Sequence, residues 1–212
     1  MAFSQPNWEN RNIDMAKISR TESRQKKIAD VLKKRQNSFT VILENINDPH
    51  NLSAALRSCD ATGILEVHLV YYGGQPFPKL GHQSSASALK WIDTHHYRSV
   101  KECFEAVRSQ GKKIYTTHMS KEAKSLYEID FTKPCAIVFG NEHDGISDEA
   151  HSLADGNFLI PQMGMIQSLN ISVACAISVY EAFRQRSEAG FFEEMQLPPD
   201  IYEKKLEEWL RK

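Results

Sequence analysis

The side chains of this 212-residue chain that could do chemistry gather in three segments. In Asn51-Leu52-Ser53-Ala54-Ala55-Leu56-Arg57, helical spacing puts Leu52, Ala55, Leu56 and Cys59 on one apolar face and sets Arg57 between alanines on another. Small neighbours leave room for an anion, and a guanidinium keeps its proton, so its natural tasks are clamping phosphate and stabilising developing negative charge. A plainer reading makes Asn51 a helix N-cap and Arg57 a surface residue. In the second segment the apolar run Ile137–Phe139 ends in Gly140-Asn141-Glu142-His143-Asp144-Gly145. Glu142 is the first carboxylate past the strand end, suited to a cationic or hydrogen-bond-donating ligand, unless the loop is only a turn before a helix capped by Ser147. In the third, Ser168, Asn170 and Ser172 lead into a helix that stays uncharged until Glu181. Their polar groups are expected to be largely buried and to need partners there, with Ser168 as an alternative cap.

The elements that must hold these groups alternate. A basic-faced helix spans 16–36, with Lys17, Arg20, Arg24 and Lys27 at offsets of three and four. Strands are expected at 39–44, 65–72, 91–97, 113–119, 136–139 and 157–160, and helices at 51–63, 99–110, 147–154, 168–188 and 198–211. Residues 73–87, rich in Gly, Pro and Ser, read as a long mobile loop of the kind that is usually functional. Strand–helix alternation predicts a parallel sheet covered by helices on both faces, with ligands at the carboxyl ends of the strands. The glycines that could let a ligand approach the backbone, Gly140, Gly145 and Gly164, all lie late in the chain.

Composition excludes disorder, collagen and coiled coil: 41% of residues are hydrophobic, 25% are charged, and the net charge is -1. That total conceals a regional split, with +5 over residues 1–36, -3 over 37–187 and -3 over 188–212. A basic arm on a mildly acidic body suits a protein that positions a polyanion with one element and works with the rest. Cys59, Cys103, Cys135 and Cys175 are widely spaced, with no C-x-x-C pair and no histidines at ligand spacing, so buried thiols and no metal are expected. The first residues lack an apolar leader core, and no run is long and apolar enough for a membrane span. A cytoplasmic protein without membrane contact is the expectation.

No G-x-G-x-x-G, P-loop, H-E-x-x-H or G-x-S-x-G is present, and the turn after the first strand, Asn45 to His50, contains no glycine. Taken in order, NDPHNLSAALRSCDATGI, IVFGNEHDGIS and IPQMGMIQSLNISVACAISVYEA resemble the three motifs of the SpoU branch of the SPOUT methyltransferases, most closely its TrmH-type tRNA members. The likeness runs from the basic helix to the last helix. It implies an α/β fold, a parallel sheet flanked by helices with a C-terminal trefoil knot, in a homodimer with active sites at the interface. It implies transfer of a methyl group from S-adenosyl-L-methionine to the ribose 2'-hydroxyl of guanosine 18 in the tRNA D-loop. Ribosomal RNA, the tRNA anticodon loop or an inactive RNA-binding dimer are the alternatives.

Carried over by motif, the resemblance implies Asn51, Arg57, Glu142, Ser168 and Asn170 as the catalytic set. The cofactor would meet Phe139, Gly140, Asn141, Ile160, Met165, Ser168 and Leu169, and RNA phosphates Arg20, Arg24, His50, Arg184 and Arg186. The domains implied are an RNA-contacting helical extension over 1–38, a catalytic domain over 39–188 and a helical extension over 189–212. Relatives often carry glycine where this chain has Ser85-Ala86-Ser87, which bears on loop geometry and not on the catalytic set.

Overall fold

The computed structural model describes residues 9–78, 88–118, 120, 123–166 and 168–212, and for residues 9–20 the backbone alone. Strands β1 (Phe39–Glu44), β2 (Glu66–Val70), β3 (Asp93–Tyr97), β4 (Lys113–Thr116), β5 (Lys124–Ser125), β6 (Cys135–Phe139) and β7 (Gly156–Leu159) join in one sheet of order β3-β2-β1-β6-β4-β7-β5. Each neighbouring pair is parallel. Such strands are buried on both faces and read as unbroken apolar runs, as FTVILE and CAIVF do at the centre. The helices are α1 (Glu9–Lys33), α2 (Pro49–Ala61), α3 (Val100–Ser109), α4 (Asp148–Leu153), α5 (Ile171–Glu188) and α6 (Pro199–Leu210).

Alternation along each strand divides the core. Val41 and Leu43 of β1 face a cluster with Leu52, Leu56 and Cys59 of α2 and Cys175 and Val179 of α5, while Ile42 faces Cys103, Phe104 and Val107 of α3 and Ala150 of α4. The chains leaving β1 and β6 therefore depart to opposite faces: α2 to one, α4 to the other. Neighbouring strands whose connections diverge leave a crevice at their carboxyl ends, the usual ligand position of an open α/β sheet. A third cluster, Ile28, Leu32, Leu65, Leu197 and Trp209, fastens α1 to α6.

Most elements lie where the spacing places them, with boundary shifts of chemical origin. Helix α2 is capped by Asp48, whose side chain accepts from His50 N at 2.8 Å, with Pro49 in the first turn. Asn51 is thus not the cap, and its carboxamide is left for other partners. Helix α5 begins at Ile171 under an Asn170 cap, so Ser168 is neither cap nor helical. Strand β4 stops at Thr116 and α1 starts at Glu9. Of the 73–87 loop, residues 79–87, Ser85, Ala86 and Ser87 among them, lie outside the described residues.

Candidate active site

Asn51, Glu142 and Asn170 meet at the crevice between β1 and β6. Asn51 Nδ2 donates to Glu142 Oε1 at 2.9 Å, and Asn170 Nδ2 donates to Asn51 Oδ1 at 3.0 Å. The amide orientations follow from the ends of this relay. Asn170 Oδ1 accepts from Ser172 N at 2.9 Å and from its hydroxyl at 2.6 Å, so the amino group must face Asn51. Asn51 then turns its own amino group to Glu142. The relay runs one way and ends on a carboxylate whose other oxygen accepts nothing from the described residues. One residue from each of the three segments takes part, across 91 and 119 positions of sequence. Asn170 and Glu142 are exposed, contrary to the burial expected of Asn170 and Ser168.

The loop carrying Glu142 is closed by its own backbone. Asn141 and Gly145 exchange both N–H···O bonds at 2.9 Å, and Gly145 takes φ +71° to permit it. A Cβ on Gly140 would stand 2.1 Å from Gly145 O, so the fold of the loop over it requires glycine there. The Asn141 side chain is also engaged, donating to Asn45 O at 2.8 Å and accepting from His143 N at 2.7 Å and Asp144 N at 3.2 Å. Through its side chain Asn141 therefore serves as scaffold for the loop. Beneath the loop, burial and then the Glu142 carboxylate push the Tyr71 phenol well above its usual value, so it stays a donor, to Ile46 O at 2.7 Å.

Arg57 stands apart from this relay. Six residues along α2 from Asn51, it lies about 9 Å further down the axis and roughly 240° around. It is exposed, and no carboxylate among the described residues pairs with it. Ser168 is exposed too, while Ile160 and Leu169 are half-buried and Phe139 lies beneath the sheet end. Met165 is 99% exposed and Met163 96%, so Met165 is not enclosed by this chain.

The implied RNA contacts separate in the same way. Arg24 and His50 are exposed, His50 in the first turn of α2 beside Asn51. The backbone places Arg20 on α1, its side chain lying outside the described residues. Arg184 is exposed but bound by Glu181 and Glu188, both within 2.8 Å. Arg186 is 1% exposed and donates to Phe131 O at 2.8 Å, Ser38 Oγ at 2.9 Å and Lys133 O at 3.2 Å. It cannot reach a phosphate, and it ties α5 to the start of β1, which corrects its assignment as an RNA contact. Arg35, counted in the basic arm, is likewise buried, held by Asp60 and by Ile64 O at 2.8 Å.

Sequence spacing missed the carboxyl end of β4. The sheet order inserts β4 between β6 and β7, which brings Thr117 and His118 between Gly140 and Ile160: Thr117 Oγ1 donates to Val138 O at 3.1 Å and His118 N to Asn157 Oδ1 at 2.8 Å. His118 Nδ1 is buried without a hydrogen-bond partner among the described residues. No local pattern announces this, because the adjacency comes from strands far apart in sequence. Among the described residues no group of three His, Cys, Asp or Glu could hold a metal ion, and no helix is long and apolar enough to cross a membrane.

The profile of the SpoU rRNA Methylase family matches residues 38–180, which span β1 through most of α5 and all three segments. The chain belongs to that family. Membership makes this SpoU protein a methyltransferase. It is 45% identical over 194 residues, 91% of its own length and 98% of the other's, to the tRNA (guanosine(18)-2'-O)-methyltransferase of Thermus thermophilus. The crystal structure of the Aquifex aeolicus TrmH/SpoU tRNA modifying enzyme superposes with a TM-score of 0.84 at 35% identity, covering 90% of this chain and 96% of that one. An AdoMet-bound rRNA methyltransferase from Sinorhizobium meliloti superposes with a TM-score of 0.63 at 27% identity over 71% of this chain and 57% of that one. The first two likenesses cover about nine-tenths of this chain and so reach past the limits of the family profile.

Proposed function

We propose that this SpoU protein transfers the methyl group of S-adenosyl-L-methionine to the ribose 2'-hydroxyl of guanosine 18 in the tRNA D-loop. The observation that carries the reading is the Asn170–Asn51–Glu142 relay at the switch-point crevice, in a chain whose 45%-identical relative bears the name of that activity. Phe139, Gly140, Ile160, Met165 and Leu169 carry no charge to repel a sulfonium, the aliphatic members suit an adenine, and the unpartnered His118 Nδ1 offers a hydrogen bond at the same strand ends. These residues fit the cofactor. When bound, it supplies an electrophilic methyl group.

The chain's own groups then have distinct tasks. Glu142 accepts a hydrogen bond from the ribose hydroxyl through the oxygen that Asn51 leaves free, orienting it for attack. Arg57 clamps the neighbouring phosphate and stabilises negative charge as it develops on the 2'-oxygen. Ser168 lends its free hydroxyl to cofactor or ribose. Since Arg57 stands off from the relay and Met163, Met165, Ile166, Val173 and Tyr180 are exposed, a homodimer completes the site: a second copy covers the apolar patch and brings an arginine to it. The strand order β1-β6-β4-β7 supports the C-terminal trefoil knot. Residues 1–38 act as the RNA-contacting extension, with Arg20 and Arg24 on phosphates, 39–188 as the catalytic domain, whose His50 meets a further phosphate, and 189–212 as the extension that braces α1 through α6.

The test is methyl incorporation into a tRNA transcript carrying 2'-deoxyguanosine at position 18. Incorporation should vanish, since the acceptor oxygen is missing. Undiminished incorporation sinks the reading.

A further inference from the structure

Beyond Leu43 and Phe139, which pair in register, β1 and β6 part company. One chain runs through Asn45 to Asn51, the other through Gly140 to Glu142. Two side chains outside the catalytic set, Glu44 and Asn141, sew the two together, and Asn45 ties the first to the end of β2. Glu44, 3% exposed, accepts from Tyr72 Oη at 2.7 Å through one oxygen and from Ser147 N at 3.2 Å through the other. Asn141, 8% exposed, reaches from the Glu142 loop to Asn45 O at 2.8 Å. Asn45 holds φ +49°, rare for a non-glycine, and its carboxamide accepts from Tyr72 N at 3.2 Å.

A buried carboxyl and a left-handed asparagine each cost stability, and such features persist where the surroundings over-determine them. Here they fix both ends of the loop: Asn141 at its entry and Glu44 at its exit, at Ser147. Between these anchors stands Glu142, and the anchoring strand leads directly to Asn51. Neither Glu44 nor Asn141 bonds to the side chain of Asn51, Glu142, Ser168 or Asn170.

We propose that Glu44 and Asn141 are positioning residues for methyl transfer, holding the Glu142 carboxylate in hydrogen-bond register with Asn51. The inference rests on the role given above to Glu142. A plain turn-forming role for Asn141 predicts something different, and Asn141→Asp separates the two. Aspartate keeps the acceptor for His143 N and Asp144 N, and it is a good turn former. It loses the donor to Asn45 O and sets a carboxylate against that carbonyl. Glu44→Gln is the complementary variant, since glutamine can accept from Ser147 N and donate to the Tyr72 hydroxyl oxygen.

The experiment measures kcat, the KM for tRNA and the calorimetric Kd for S-adenosyl-L-methionine of the full-length variants, with thermal midpoints recorded alongside. Asn141→Asp and Glu44→Ala should each lower kcat at least about tenfold, with KM and Kd within about twofold of wild type, as expected of a displaced reacting group. Glu44→Gln should return to within about threefold of wild type. Adding Asn141→Asp to Glu142→Ala should cost nothing further, because both act through one carboxylate. Normal kcat in Asn141→Asp overturns the proposal, as does a loss that persists in full on the Glu142→Ala background. A weakened cofactor Kd in Asn141→Asp also overturns it, returning that residue to cofactor contact. If Glu142→Ala itself turns over normally, the carboxylate reading falls and the proposal with it. A crippled Glu142→Ala beside a normal Asn141→Asp removes the proposal alone.

Discussion

Two polar networks sit at opposite ends of the sheet and are built on opposite terms. At the carboxyl ends, the Asn170–Asn51–Glu142 relay has both its ends exposed and finishes on an oxygen with no donor among the described residues. At the amino ends, Glu66 of β2 gathers Lys112 at 2.5 Å and His95 at 3.2 Å, with His68 stacked on His95 at a centroid distance of 5.1 Å. Lys112 and His68 are buried, and Lys112 also donates to Gln110. The Glu66 and Lys112 charges of that cluster are spent on each other and on their neighbours. A buried charge is tolerated when its partners consume it, and a consumed group has nothing left for a ligand. The same contrast separates Arg57, free on α2, from Arg186, spent on backbone carbonyls.

The widest gap between open and closed groups should appear at these two arginines. Arg57→Ala should lower kcat by about 100- to 1000-fold, the usual loss when a preorganised donor to a developing oxyanion is removed. Cofactor affinity and thermal midpoint should stay near wild type, read by calorimetry and circular dichroism. An Arg57→Ala protein that still methylates at the normal rate breaks the comparison at its centre. Arg186→Ala should do the reverse. Stripping partners from Phe131 O, Ser38 and Lys133 O costs about 3 kcal/mol, and for a chain of this size that lowers the midpoint by roughly 6–12 °C. Below the transition its kcat and the salt dependence of tRNA binding should match wild type. A flatter salt slope would mean that Arg186 touches phosphate after all.

Residue type and spacing carried much of this contrast, but not its sign. The parallel sheet was legible because doubly buried strands write themselves as runs such as CAIVF, and α3 because Ser99 caps an apolar stripe closed by Gly111. The three segments named Asn51, Glu142 and Asn170, which the fold brings together. Nothing in the spacing distinguished Arg186 from Arg184, two residues away. Whether an arginine is spent or free depends on Ser38, Phe131 and Lys133, which tertiary packing brings from more than 50 positions away. Uncharged sequence around Asn170 reads as buried, yet the side chain is exposed, because α5 begins only at Ile171 and leaves the Asn170 cap at its open end. Glu44 escaped notice for a related reason: at the end of FTVILE it looks like the first solvent residue after a strand.

A smaller effect sharpens the open side. Asn51→Ala removes the link between Glu142 and Asn170 without touching a charge, and it should lower kcat about tenfold, the loss of one oriented hydrogen bond worth about 1.4 kcal/mol. The midpoint should barely move, because the groups it releases are exposed to water. Single-turnover rates at saturating cofactor give the measurement. A drop in midpoint larger than the drop in rate would make the relay a stability element like the one at the other end of the sheet.

The smallest expected effect tests the closed network through pH. Burial alone would raise the Glu66 carboxyl, but the hydrogen bond from His95 and the Lys112 ammonium outweigh it and hold it well below the ordinary carboxylate range. Its contribution to stability is therefore present above about pH 4.5 and is lost as the pH falls through its depressed folded value. His95 shifts the other way: its hydrogen bond to Glu66 raises the imidazole pKa against the opposing effect of burial. Its contribution is fully present below about pH 6.5 and fades as the pH rises through the raised folded value. His68, pushed down by burial, stays neutral beside it, with Nε2 3.8 Å from Glu66, too far for a hydrogen bond. The two windows overlap between about pH 4.5 and 6.5, where the cluster is most complete. His95→Gln should accordingly show its largest deficit in thermal midpoint near pH 5.5, with the gap closing as the pH rises beyond 6.5. Its methylation rate at neutral pH should equal that of wild type, since the cluster lies at the amino ends of the strands. A deficit that grows with rising pH would reverse the assigned charge, and a loss of methylation without a change in midpoint would couple the two ends of the sheet.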